Sequence, residues 1–239
     1  MSTPGPKTAM VLAAGIGSRM RPLTDDRPKA LVEVAGKPLI DHVLDRLAEA
    51  GIETAIVNVH HFADQMEAHL ARRTAAPRIV ISDERAGLLD SGGGIKAARH
   101  LIGDDPILVA NIDSLWVGGE TPPLEAMKQA WDPERMDMLL LLVPRDQGIG
   151  LEGPRGFRMD AEGRITHMAD DNNPAPLANI GFQIMKPQLL DDQPDGAFSI
   201  LPLWWRLQEE GRIHGVVMDA FWLHVGDPKA REAAEARLT

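Results

Sequence analysis

The residues best equipped for chemistry lie between Met10 and Lys29, in the stretch MVLAAGIGSRMRPLTDDRPK. An apolar run from Ala9 to Leu12, long enough for a short buried strand, breaks at Ala13-Ala14-Gly15. Gly15 and Gly17 can take positive φ and let backbone N–H groups come close to an anion. Arg19, Arg21 and Lys29 follow, so fixed positive charge surrounds a loop rich in donors. This outlines a polyphosphate site, with a strand-to-loop turn carrying solvated basic residues as the bland alternative. Gly15-x-Gly17 lacks the third glycine of the dinucleotide fingerprint, and no Gly-Lys-Ser/Thr follows as in P-loop enzymes.

Three other groups could join such a site. Asp113 stands just past a strand-like run, Ile107 to Ala110. A carboxylate there can hold Mg²⁺ against phosphate oxygens, or it can simply cap a helix or form a turn. Asp90-Ser91-Gly92-Gly93-Gly94 places consecutive glycines between a strand and a helix. Either the backbone passes close to something flat, such as a nucleobase, or the segment is a flexible loop, with Glu84 and Asp90 at the rim. His60 and His61 end another strand, but neighbours on an extended chain point to opposite sides, so a hydrogen-bonded loop histidine fits better than a shared metal ion.

LAAGIGSRMRPLT followed by RPKALVEVAGKPLI closely resembles the signature of sugar-1-phosphate nucleotidylyltransferases. LLDSGGGI is similar to the matching segment of N-acetylmuramate-1-phosphate uridylyltransferases. The resemblance implies a three-layer, Rossmann-like α/β fold of the nucleotidyltransferase and glycosyltransferase-A type, with a mixed, mainly parallel sheet flanked by helices. It also implies a reaction in which an NTP and a sugar 1-phosphate give an NDP-sugar and pyrophosphate. Leu12, Ala13, Ala14, Gly15, Gly17 and Ser18 would wrap the NTP phosphates, Arg19 would bind the departing pyrophosphate, and Lys29 would stabilise charge at the α-phosphorus. Ser91, Gly92, Gly93 and Asn111 would complete the nucleotide pocket. Asp170, Asn179 and Gly181 would line the sugar side, and Asp113 would hold Mg²⁺. UTP and N-acetylmuramate 1-phosphate are the implied substrates, as in cell-wall sugar recycling. GTP with mannose or heptose 1-phosphate is the runner-up.

Two departures stand out. Ile112 occupies the place where the family has glycine before the aspartate, and His224 replaces the aspartate that completes the metal site. Asp113 alone could anchor an ion held largely by phosphates and water, Asp219 or Asp227 could substitute, or His224 could favour Mn²⁺ or Co²⁺. His224 could equally be a loop histidine without metal. A nucleotide-binding regulatory module without turnover is the alternative from a different class.

Composition narrows the field. A length of 239 residues suits one α/β domain, here divided into a nucleotide half, 1–145, and a sugar half, 146–239. The net charge of −10 argues against nucleic acid as a partner. The absence of cysteine excludes disulfides, thiolate zinc sites and cysteine nucleophiles. No apolar run approaches the roughly 20 residues of a membrane helix, and MSTPGPKTAM has no signal-peptide core, so a cytoplasmic protein is expected.

The elements that must position these groups follow from periodicity. Leu39, Ile40, Val43, Leu44 and Leu47 share one helical face. Strands are expected at Thr54 to Val59, Arg78 to Ser82, Ile107 to Ala110, Met138 to Val143 and Ile213 to Val217, with helices from Ala63 to Leu70, Ile95 to Leu101 and Lys229 to Leu238. A hairpin is expected around Asp160-Ala161-Glu162-Gly163. Ser199 should cap a helix whose Trp204 and Trp205 are read as core or interface.

Overall fold

The computed structural model describes residues 5–151, 156–168 and 175–239. Four strands form one side of the main sheet: β1 (Thr8–Leu12), β2 (Thr54–Val59), β3 (Arg78–Asp83) and β4 (Ile107–Asn111). They are parallel, with β1 paired to both β2 and β4 and β2 to β3. The interiors of β1, β2 and β4 are buried on both faces, as strands between two helical layers must be, while the edge strand β3 is only partly buried. Three helices supply the crossovers: α1 (Leu39–Glu49), α2 (Ala63–Leu70) and α3 (Asp90–Ala97).

Beyond β4 come β5 (Ser114–Val117), α4 (Pro123–Ala130) and β6 (Met138–Pro144). The hairpin β7 (Phe157–Met159) and β8 (Ile165–Met168) leads to the long β9 (Leu177–Met185). The chain ends with α5 (Leu201–Glu209), β10 (Ile213–Val217), β11 (Phe221–His224) and α6 (Pro228–Leu238). β9 lies antiparallel between β4 and β6, while β10 runs parallel to β6. The sheet is therefore mixed and mainly parallel, and strands from either side of residue 145 alternate within it. Leu139, Leu141 and Val143 of β6 face one apolar layer and Met138, Leu140 and Leu142 the other.

Several expectations need correction. The glycine run is not a loop before a helix: Gly92, Gly93 and Gly94 lie inside α3. A Cβ on Gly92 would meet the Phe198 ring at 2.4 Å, and one on Gly93 the Gly196 carbonyl at 2.3 Å. The flat object that these glycines admit is thus part of the chain itself. The second miss is β5, four residues that pair antiparallel with β11 and set Ser114 opposite His224. Third, the sequence from Leu31 to Val34 suits a short extended piece, but the chain there starts in a 3-10 turn, Lys29–Leu31, and only Glu33–Val34 is strand. Fourth, Ser199 is one residue too early to be the cap of α5, although its Oγ accepts from the Leu201 N–H at 3.3 Å. Trp204 is partly buried and packs edge-on against Phe157, but Trp205 is 54% exposed and is not core.

Candidate active site

The C-terminal ends of β1 and β4 open into a cleft, as expected for ligand sites in this class of sheet. A cavity of about 400 Å³ is lined by Leu12, Ala13, the loop from Gly15 to Arg19, Lys29, Leu88 and Asp113. A larger one of about 1050 Å³ is bounded by β4, β9, α3 and α5. Leu12, Arg19, Asn111 and Asp113 line both, so the two are parts of one site. Arg21 lines neither; it is exposed and faces Asp25 at 3.5 Å.

Lys29 and Asp113 come together from positions 84 residues apart, Nζ donating to Oδ2 at 2.6 Å. The His224 Nε2 atom lies 3.5 Å from the same oxygen. Burial pushes the Asp113 carboxyl up, but His224 and the Lys29 charge outweigh it and hold the group well below the usual carboxylate range. Burial lowers the His224 pKa, and the neighbouring carboxylate, helped by the Gly150 carbonyl, more than reverses this. The imidazole has a defined orientation because Nδ1 lies 2.8 Å from the Gly150 carbonyl oxygen and must donate to it. With Nδ1 committed to that carbonyl, Nε2 is the ring nitrogen that faces Asp113.

Asp113 and His224 are accordingly the pair able to hold a divalent ion. Among the described residues no group of three or more His, Cys, Asp or Glu side chains is placed to do so. One carboxylate and one imidazole leave the other positions to phosphate and water oxygens, a donor set suited to Mn²⁺ or Co²⁺ as well as Mg²⁺. The two other carboxylates, Asp219 and Asp227, line neither cavity. Asp227 caps α6 by accepting from the Ala230 N–H at 2.9 Å, and Asp219 accepts from the Glu120 N–H at 2.8 Å.

The loop departs from expectation in one respect. The N–H groups of Ala13 and Ala14 are not free for phosphate: both donate to Asn58 Oδ1, at 2.6 and 3.1 Å. Asn58 in turn donates from Nδ2 to Glu84 Oε1 at 2.8 Å. Glu84 is buried, not a rim residue, and burial raises its pKa against the opposing pull of Asn58. Its carbonyl also lies 2.8 Å from His60 Nδ1, which makes His60 a hydrogen-bonded loop histidine. Asn58 escaped the sequence reading, which also missed that Glu84 is its buried partner. The available signal was a polar residue near the end of a buried β-branched strand, where a carboxamide needs partners. Gly17, at φ 70, has its carbonyl held by the Thr24 hydroxyl at 2.8 Å, which fixes the far side of the loop.

On the opposite wall, β9 bulges at Gly181, whose φ of 84 suits glycine. The Asn111 side chain packs over it, within 2.4 Å of where a Cβ would stand. Asn179 Oδ1 accepts from the Gly181 N–H at 2.6 Å, so this oxygen braces the bulge. Ser114 Oγ donates to the Ile180 carbonyl and accepts from Trp222 Nε1 at 3.2 Å, tying β5, β9 and β11 together behind Asp113. Asn179, Gly181, Ser91 and Asp90 line the larger cavity, whereas Gly92 and Gly93 line neither. Ser91 also accepts from the Ile200 N–H at 3.3 Å. Asp170 falls outside the described residues.

The sequence matches the MobA-like NTP transferase domain over residues 9–176. The chain belongs to that family. Within it, the chain is a sugar-1-phosphate nucleotidyltransferase. It is 56% identical to the N-acetylmuramate alpha-1-phosphate uridylyltransferase of Caulobacter vibrioides, covering 98% of this chain and 97% of that one. It is 33% identical to the enzyme of the same name from Neisseria meningitidis serogroup B, covering 95% and 96%. A crystal structure of UDP-glucose pyrophosphorylase complexed with UDP-glucose superposes with a TM-score of 0.81 at 19% identity, over 98% of both chains, a likeness of fold. No helix among the described residues of this family member is long and apolar enough to cross a membrane.

Proposed function

We propose that this family member transfers the uridylyl group of UTP to N-acetylmuramate α-1-phosphate, in the cytoplasm, with release of pyrophosphate. The substrate pair is supported by the 56% identity to an enzyme of that name over nearly the whole chain. The placement of the chemistry rests on the Lys29–Asp113 pair, set where the two cavities meet.

The sugar phosphate is already an anion at neutral pH, so no side-chain nucleophile is needed. One of its oxygens attacks the α-phosphorus in line, a new P–O bond forms, and the bond to the bridging oxygen breaks. Pyrophosphate leaves with the electron pair, and catalysis is positioning plus charge stabilisation. Lys29 exchanges its carboxylate partner for the α-phosphate oxygens, and Arg19 takes the leaving pyrophosphate. Asn58 holds the start of the loop through Ala13 and Ala14, and the residues from Gly15 to Arg19 line the smaller cavity where the phosphates are read to lie. A divalent ion on Asp113 and His224 supplies further neutralisation of the triphosphate when bound, and the imidazole leads us to expect turnover with Mn²⁺ at least equal to that with Mg²⁺.

The test is pyrophosphate release over a matrix of NTPs and sugar 1-phosphates, with Mg²⁺ and Mn²⁺ in parallel, on the parent and on Lys29→Ala. Turnover should require UTP and N-acetylmuramate 1-phosphate, and the variant should lose about 10²- to 10³-fold in kcat while still binding nucleotide. Activity confined to GTP with mannose or heptose 1-phosphate would overturn the substrate pair. Full activity in Lys29→Ala would remove the lysine from the mechanism.

A further inference from the structure

Asn58 and Glu84 line neither cavity, yet a chain of buried hydrogen bonds runs from them to the start of the nucleotide loop. Asn58 Oδ1 takes both N–H groups at the point where β1 gives way to the loop, Ala13 at 2.6 Å and Ala14 at 3.1 Å. Two donors on one side fix the amide, since its oxygen must face the loop and its NH₂ must face away. What the NH₂ meets is Glu84, 3% exposed, whose Oε1 accepts at 2.8 Å. The main chain of Glu84 is itself pinned to the end of β2, its N–H donating to the Val59 carbonyl at 2.8 Å and its carbonyl lying 2.8 Å from His60 Nδ1. The third glycine of α3 closes this box. A Cβ on Gly94 would stand 2.9 Å from Glu84 Oε1 and 3.0 Å from Asn58 Nδ2.

The carboxamide cannot hold the loop unaided. Its terminal torsion is soft and its two ends have nearly the same shape, so without an acceptor behind it the amide can turn its NH₂ toward the two N–H groups, donor against donor. An acceptor at position 84 removes that choice. The loop that starts at Ala13 and Ala14 brings Gly15 to Arg19 to the smaller cavity. A turned amide would change how the chain leaves β1, and with it the donors offered to a triphosphate. The wall of the larger cavity at Asn179 and Gly181 has its own brace, the Asn179 Oδ1 contact to the Gly181 N–H, and does not depend on this pair.

We propose that Glu84 is a positioning residue for nucleotide binding that acts through Asn58. By accepting from the Asn58 amide it keeps the amide oxygen on the Ala13 and Ala14 N–H groups, and so holds the loop in the form that receives the triphosphate. The inference rests on the reading of the smaller cavity as the nucleotide site. It adds that a side chain outside the cavity sets affinity for the nucleotide and leaves affinity for the sugar 1-phosphate alone.

The experiment measures calorimetric binding of UTP with Mn²⁺, and KM for UTP and for N-acetylmuramate 1-phosphate in pyrophosphate release, on the parent and its variants; GTP replaces UTP if the parent binds only GTP. Glu84→Met fills the space without an acceptor and should lose about 10- to 100-fold in UTP affinity, with KM for the sugar within about threefold of the parent's. Glu84→Gln still accepts through its side-chain carbonyl and should bind UTP within about threefold of the parent. So should the isosteric reversed pair Asn58→Asp/Glu84→Gln, in which aspartate offers an oxygen at either end and glutamine donates back. Gly94→Ala crowds the same hydrogen bond from α3 while suiting a helix, and should lose about 3- to 10-fold in UTP affinity. It carries the test if Glu84→Met shows no cooperative melt. Unchanged UTP affinity in the folded members of that pair, equal losses on UTP and the sugar, or Glu84→Gln or the reversed pair binding UTP as poorly as Glu84→Met would each overturn the proposal. A parent that binds nucleotide alongside variants that bind it equally well sinks this inference alone, whereas a parent that binds neither UTP nor GTP sinks the nucleotide reading and the inference with it.

Discussion

Glu84 shows how a single buried carboxyl can be read as a pH-dependent strain on the nucleotide loop. Burial raises its pKa above the ordinary value of 4.5, so the folded protein keeps the proton to higher pH than the unfolded chain does. The cost of ionising it is absent below the unfolded pKa and grows as pH rises through the folded one. Glu84→Gln keeps an acceptor for Asn58 and removes that cost. Its Tm should exceed the parent's at about pH 8, with the gap closing toward about pH 4, as thermal melts across that range will show. A constant gap would mean that the carboxylate is not what strains the fold. At this scale the sequence was partly legible. Lys29 falls within a long motif and Asp113 stands at the end of an apolar strand, whereas Asn58 acts by reaching sideways to a neighbouring strand, and no spacing along the chain encodes that reach.

Short elements, more than long ones, set the geometry of the cleft. The four-residue β5 pairs with β11 and thereby carries His224 to Asp113, yet four residues offer too little periodicity to be seen in advance. α3 was hidden for the opposite reason. Its glycines disfavour helix intrinsically, and close packing against Phe198 and Gly196 overrides that preference. The long apolar strands and α1, whose faces repeat regularly, were plain from the sequence. The β9 bulge supplies the prediction at this scale. Gly181→Ala must hold a Cβ at φ 84 and push into the Asn111 side chain. The backbone alone costs about 1–2 kcal/mol, so Tm should fall in a thermal melt. Activity should fall by more than the loss of folded protein explains, because Asn111 moves with the bulge.

Across the whole molecule, the alternation of strands from the two halves decides what can stand alone. A fragment of residues 1–145 contains the loop, Lys29 and Asp113, but lacks the strand that covers the β4 edge. We expect it to show no cooperative unfolding transition and no calorimetric nucleotide binding, and a fragment that did both would show the halves to be independent. The interleaving of strands from either side of residue 145 was not legible, because strand order in a sheet is set by packing between distant segments. The place of β9 has a consequence for synthesis on the ribosome. β4 and β6 are both made before the strand that must separate them, and at about 5–20 residues per second the wait is on the order of ten seconds. During that interval the nascent chain carries open apolar edges on β4 and β6 that must be kept from joining each other or a neighbouring chain.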